Sequence, residues 1–341
     1  MVGTTVSRRR SGAAASLVAL VTAIALVIGA PVASAAPDAP DEGDNKSLRE
    51  VLEAASKGHI EAKAKLDNSK KRQKELTTQY DAVQERLVSL TDEVGLMAAE
   101  SYRVGRLTSV TMLLNSASPA DMLDRAAGLE VMAQREGRNL RALTEAHEQA
   151  ARAKAAIDNE VREQEKQVAI MARKKQDAER ALAAVGGQSS GGFVSTTSAA
   201  AKPAPRNSDG SWPSESCNVD DPTTSGCITP RTLHALNQAK SAGFTRYVSC
   251  FRNGGSGEHP KGRACDFSAE AGGFQNRAAT GGNRTYGNNL AGYYINNADR
   301  LGVLYVIWYR QIWMPGTGWR AYNGGGSPAG DHTNHVHLSM L

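Results

Sequence analysis

Residues 76–97 read LTTQYDAVQERLVSLTDEVGLM, and apolar side chains recur in them at Leu76, Tyr80, Val83, Leu87, Leu90, Val94 and Met97. The spacings alternate between four and three, which is the seam of a coiled coil. Carried back in the same frame, the seam meets Leu66, Ala62, Ala55, Leu52 and Leu48, with Gln73, Ser69 and His59 as weaker members. A second run passes through Leu140, Leu143, His147, Ala150, Lys154, Ile157, Val161, Gln164, Val168, Met171, Lys175, Ala178, Leu182 and Val185. Pro119 is the one proline between Asp44 and Val185, which leaves room for long helices on either side of it. Residues 44–185 are therefore expected to form an all-α antiparallel coiled-coil hairpin. Its tip falls in 104–129, where Gly105, the cluster Asn115–Ser118 and Pro119 break the pattern, and Ser118 before Pro119 predicts a helix N-cap. Short helices there would carry Met112, Leu113, Leu114, Met122 and Leu123, an apolar tip either buried within the hairpin or docked on a cell-envelope protein partner. His59 and His147 stand alone on this scaffold and read as surface or seam residues.

The rest of the chain is of another kind. Aromatic residues are only 5% of the 341, yet all four Trp and four of the five Phe (Phe244, Phe251, Phe267 and Phe274) lie after residue 210. Residues 186–210, rich in Gly, Ser, Thr, Ala and Pro without periodicity, read as a flexible linker to that second part. At the other end, Arg8–Arg10, an apolar run from Ala13 to about Ala30 and Ala33-Ser34-Ala35 read as a secretory signal peptide over residues 1–36. The Pro31 break followed by small residues favours cleavage over a retained membrane anchor. The formal net charge is +5, three units of which sit in Arg8–Arg10, too little to argue for nucleic acid as a partner. Cys217, Cys227, Cys250 and Cys265 are an even set in an exported chain and read as disulfides, with three connectivities open. Cys217 with Cys227 closes a short loop and leaves Cys250 with Cys265. If both of these lie on strands, Cys250 shares a face with Arg252 while Cys265 faces away from Asp266, so that pairing needs a bulge or turn.

Residues 211–341 suffice for one small core. Thr229-Pro230 opens a helix to about Ser241, stopped by Gly243. Arg246–Phe251 and Ala264–Phe267 read as short strands, Thr285–Leu301 as a helix ending at Gly302, and Val303–Tyr309 as a strand. The chain closes with the alternation of a half-buried strand in His335–Met340. This order predicts an α+β domain with a small antiparallel sheet.

Four of the seven histidines, His259, His332, His335 and His337, fall in two short segments of this domain. On a strand His335 and His337 face one side while Val336 and Leu338 face the core. His259 and Asp266 would stand about 23 Å apart if extended at ~3.3 Å per residue, so they can share a metal only across a turn, which Pro260-Lys261-Gly262 offers. Two histidines and a carboxylate leave a fourth tetrahedral position for water, the make-up of a catalytic zinc site.

These residues carry a family resemblance. His259-x-x-Gly262-x-Ala264-x-Asp266 matches the H-x-x-G-x-A-x-D motif of the D-Ala-D-Ala carboxypeptidase family of zinc peptidases. Ser249-Cys250-Phe251-Arg252 resembles the S-G-Y-R segment before that motif, and Asn334-His335-Val336-His337 resembles the terminal D-H-V-H. The resemblance covers residues 211–341 and implies a hedgehog/DD-peptidase-like fold and a peptidoglycan peptide as substrate. It implies Zn2+ on His259, Asp266 and His337, Arg252 neutralising a substrate carboxylate or developing oxyanion, and His335 beside the attacking water. The hairpin similarly resembles the coiled coils ahead of exported peptidoglycan hydrolases. One position departs: the family's acid, three residues before the last ligand, is here Asn334, which cannot take a proton. General-base help is worth roughly 10²–10⁴-fold. His335, as in related lysostaphin-like metallopeptidases, or His332 or Asp331 reached by a bend, would have to supply it. The sequence thus points to an exported zinc metallopeptidase acting on peptidoglycan stem peptides or cross-links and regulated or positioned by its coiled coil. The other reading is a catalytically weak wall-binding adaptor that recruits or activates another hydrolase. Glu258 reads as solvated, and Trp308, Trp313 and Trp319 as core.

Overall fold

The structure, a computed structural model, describes residues 46–105, 108–184, 198–255 and 257–341. The expected signal peptide, residues 1–36, and the first half of the expected linker lie outside the described residues. Two long helices, α1 (Lys46–Val104) and α3 (Pro119–Ala184), run antiparallel as the hairpin, with a short α2 (Thr108–Leu114) between them. No described helix is long and apolar enough to cross a membrane.

Along α1 every expected seam residue from Leu48 to Met97 is buried or half-buried, Ser69 included. In α3 alternate members of the expected seam face inward up to Ala178, and Leu182 beyond it is buried as expected. Those members are Leu143, Ala150, Ile157, Gln164, Met171 and Ala178, but the intervening positions are Ala146, Ala153, Glu160, Gln167 and Lys174, one residue before the expected His147, Lys154, Val161, Val168 and Lys175. Hydrogen bonding explains the choice of polar residues over valines. Ser69 Oγ donates to Glu160 Oε2 at 2.6 Å, Arg72 Nε donates to Glu160 Oε1 at 2.8 Å, and Gln164 Nε2 donates to Gln73 Oε1 at 2.8 Å. The tip also differs: α3 begins at Pro119 without further breaks. Its cap is reciprocal, Asp121 N donating to Ser118 Oγ and Ala117 N to Asp121 Oδ2. Met112, Leu114, Met122 and Leu123 are exposed there rather than buried in the hairpin.

The second part is α+β. After the strand pair β1 (Val219–Asp220) and β2 (Cys227–Ile228) come α4 (Pro230–Ser241), β3 (Val248–Ser249), a 3-10 turn (His259–Lys261) and β4 (Ala264–Ser268). Then follow α5 (Gly281–Asn296), α6 (Ala298–Leu301), β5 (Val303–Trp308), β6 (Gln311–Met314), β7 (Gly318–Ala321) and β8 (His335–Met340). The antiparallel six-stranded sheet has the order β3-β4-β8-β5-β6-β7. The helix expected over 285–301 starts at Gly281 and breaks at Asn297, whose side chain binds residues before the domain: Ala201 N donates to Asn297 Oδ1 and Asn297 Nδ2 donates to the Ala199 carbonyl. Ala204 N also donates to the Arg300 carbonyl, and Ala201 and Ala204 are buried. Residues 198–206, expected as linker, are thus held along α4, α5 and α6. The β6–β7 hairpin, turning through Pro315–Thr317, had no counterpart in the sequence reading.

Alternation divides the sheet's residues. Cys265, Phe267, Val336, Leu338, Val306 and Trp308 pack with α4 and α5 in the main core. On the other face Tyr305, Ile307, Ile312 and Met314 pack with Leu52, Ala55, Ile60, Ala178 and Leu182 from the base of the hairpin. Ser56 Oγ donates to the Leu304 carbonyl, and Lys63–Asp299 and Arg320–Glu179 ion pairs flank the contact.

Two substitutions test this packing. A Cβ at Gly287 would run into the buried Trp308 ring. Although alanine gains up to ~1 kcal/mol of helix propensity there, Gly287→Ala is expected to destabilise by about 1–3 kcal/mol in urea unfolding. Val168→Lys, on the exposed side of α3, is expected to stay within ~0.5 kcal/mol, whereas a residue of the seam would not.

Candidate metal centre

β4 and β8 pair with Asp266 directly opposite His337. Because Phe267, Val336 and Leu338 take the core side, Asp266, His335 and His337 emerge together on the other face. His259 reaches the same place from the 3-10 turn, which is closed by Gly262 just after it, in the left-handed region (φ 68°). The turn expected at Pro260–Gly262 therefore converts seven residues of separation into contact.

His259, Asp266 and His337 each offer a ligand atom, all within 4.8 Å of one another, and all three residues are buried. His259 Nε2 lies 3.3 Å from Asp266 Oδ2 and 3.3 Å from His337 Nδ1, and His337 Nδ1 lies 2.9 Å from Asp266 Oδ1. Tetrahedral bonds of ~2.0–2.1 Å have edges of about 3.3 Å, so the spacing suits a zinc-sized ion. The proton positions suit it too. His259 Nδ1 bonds the Cys250 carbonyl, which can only accept, so the proton is on Nδ1 and Nε2 presents its lone pair to Asp266 Oδ2. Two acceptors thus face each other in a buried place, and Asp266 Oδ2 accepts no hydrogen bond. A cation between them answers both. His337 Nε2 is bonded by Ser339 Oγ at 2.8 Å. Burial raises the Asp266 carboxyl; positive charge at His259 and His335 outweighs it and holds the carboxyl well below the usual carboxylate range, and a cation held between neutral rings would supply that charge in their place.

Arg252 Nη1 lies 3.4 Å from Asp266 Oδ2, and its side chain is 23% exposed where Asp266 is fully covered, so it forms the open edge of the cluster. β3 ends at Ser249, and the turn after Cys250 brings Arg252 to this face although Cys250 pairs with Cys265 on the other. Both disulfides, Cys217–Cys227 and Cys250–Cys265, are formed. They mark a chain matured in an oxidising compartment.

The three groups weighed as substitutes for the missing acid have separate fates. Asp331 is spent on its own loop: Gly324 N and Gly326 N donate to Oδ1 and Arg310 Nε donates to Oδ2. His332, at φ 51°, does bend inward, its ring 4.6 Å from that of His335 and its Nδ1 on the Gly330 carbonyl. Burial holds its pKa well down. His335 is set by Asn334. Asn334 Nδ2 donates to the Gln275 carbonyl at 2.7 Å, which fixes the amide so that Oδ1 accepts from His335 Nδ1 at 2.7 Å. The His335 lone pair is then on Nε2, 3.5 Å from Asp266 Oδ1, and burial lowers its pKa to about 4, leaving the ring neutral.

Some neighbours escaped the sequence reading. Tyr305 stacks on His337 with ring centres 5.7 Å apart. Glu258, expected in solvent, is fully buried between Lys261 and Arg263. The β8 alternation did hold a signal for Ser339, two residues beyond His337 on the same face. A backbone carbonyl such as that of Cys250 has no letter of its own. Trp308 is core, and Trp313 and Trp319 pack against that core.

A family model described as VldE, C-terminal domain, matches residues 224–333. The match takes in His259 and Asp266 and ends two residues before His335. No curated protein matches the chain.

An aspartate at 334 would set a carboxylate oxygen against the Gln275 carbonyl. Asn334→Asp is therefore expected to lose about 1–3 kcal/mol of stability at neutral pH, read by denaturant unfolding, and to gain no activity over the natural sequence.

Proposed function

We propose that the protein is an exported zinc metallopeptidase acting on peptidoglycan stem peptides or cross-links. The observation that carries this is the His259–Asp266–His337 cluster at tetrahedral spacing, with a third imidazole nitrogen, His335 Nε2, held unprotonated beside it. When bound, zinc would polarise an amide carbonyl and acidify a water. His335 Nε2 is placed to take the proton from the attacking water, in the tautomer that Asn334 imposes. Arg252, at the open edge, pairs a substrate carboxylate through its fork of donors. His332 packs against His335 and excludes water from behind it.

The hairpin supports a positioning or restraining role. Its base packs on the face of the sheet that bears the cluster, Tyr305 touching both, and Glu53 of α1 lies 3.6 Å from Lys261 in the turn that carries His259. The exposed apolar residues of the tip suit a cell-envelope protein partner. The absence of a carboxylate at Asn334 favours the second reading, an adaptor that binds wall peptide and recruits another hydrolase.

Mass spectrometry of purified peptidoglycan incubated with the zinc-loaded full chain decides between them. New stem-peptide products, lost in His337→Ala and reduced by at least ~10²-fold in His335→Ala, are expected. Retention of wall peptide without any product would leave the adaptor.

A further inference from the structure

Both disulfides converge on the support of one candidate ligand. Cys250 lies just beyond β3, whose partner in the ladder places Ser249 opposite Asp266 and so Cys250 opposite Cys265. The bond Cys250–Cys265 thus joins the residue whose carbonyl fixes His259 Nδ1 to the residue immediately before Asp266. β3 is two residues long, and just beyond it Cys250 N donates to Thr223 Oγ1 and Phe251 N to Asp221 Oδ2. Asp221 belongs to the loop closed by Cys217–Cys227. Gly262, the end of the His259 turn, rests on that second bridge: a Cβ there would meet Cys217 Sγ and lie 2.8 Å from the Cys227 carbonyl.

We propose that metal binding at His259, Asp266 and His337 is coupled to the oxidation of Cys250–Cys265, which positions the His259 ligand. The proposal rests on the metal reading of that cluster. Outer groups that orient a metal-bound histidine are worth 10–100-fold in metal affinity, and here the orienting carbonyl is fixed by a bond that exists in one redox state only. Closing that bond needs a disulfide-bearing oxidant. One cysteine thiolate attacks the oxidant's sulfur and releases a thiol; the other then displaces the second thiol, so that two electrons and two protons pass to the oxidant. A reduced chain is a weak metal binder, and the site assembles after export.

Reciprocity makes this testable in the unaltered protein. The full chain is equilibrated in glutathione buffers of graded ratio, with and without zinc held at a fixed free concentration, and the thiols of each bridge are counted by alkylation and mass spectrometry. Zinc is expected to shift half-reduction of Cys250–Cys265 by at least ~10-fold toward more reducing buffer, matching a 10–100-fold difference in affinity. An oxidised chain that binds zinc but shows no such shift overturns the coupling. An oxidised chain that binds no zinc in chelator competition brings down the metal reading, and the coupling with it. As a second arm, Cys250→Val/Cys265→Val keeps an apolar cross-strand pair. With near-ultraviolet circular dichroism like that of the natural chain, its zinc affinity is expected to fall 10–100-fold, and an unchanged affinity refutes the proposal.

Discussion

The pairing of β4 with β8 is the constraint on which both the core and the candidate site depend. With Asp266 opposite His337, the period of two sends Phe267, Val336 and Leu338 into the apolar core and the carboxylate and imidazoles to the other face. A slip of one residue would exchange the two sets, burying three ionisable groups in the core and exposing its aliphatic side chains. The free energy that buries those apolar side chains therefore also fixes the register at which Asp266 and His337 stand 2.9 Å apart. No separate interaction has to hold them there.

The other members of the cluster come from segments without such a register, and each has its own anchor. His259 sits on a single 3-10 turn and is held by a carbonyl, a glycine and two disulfides. His332 sits in a loop tied down by Asp331, which accepts from two backbone amides and Arg310. The hairpin adds a third kind of support, since its base packs on Tyr305 and Ile307 beside His337. Strand residues are positioned by the core, loop residues by covalent or charged anchors.

This division also governs what could be read from the sequence. The candidate ligands were legible because strand alternation places His335 and His337 together and a proline-glycine turn lets His259 meet Asp266. The frame of α1 was legible for the same reason of period. The frame of α3 was half legible: Val161 and Val168 are the more apolar letters, but Glu160 and Gln167 sit at the seam, Glu160 finding Ser69 and Arg72 there. Hydropathy alone ranks residues and does not see partners across the seam. Glu258 was misplaced in the same way, buried because Lys261 and Arg263 close on it. The tautomer of His259 was beyond reach, because it depends on which carbonyl a turn delivers.

Asn334 shows how such a partner changes the meaning of a letter. Judged as a replacement for an acid it is a loss; within its hydrogen bonds it is a device that keeps the proton of His335 on Nδ1. It also changes the charge of the site. With Asp266 as the one carboxylate among the candidate ligands, a divalent cation there would not be neutralised, and Arg252 at the open edge adds to the excess. In a buried, weakly screened place that excess would favour an incoming anionic group over a neutral one. A second carboxylate at 334 would remove one unit of it while facing the Gln275 carbonyl. Under the proposed function, the amide would suit a site that receives a carboxylate-bearing peptide, with the neutral imidazole of His335 left as the proton acceptor.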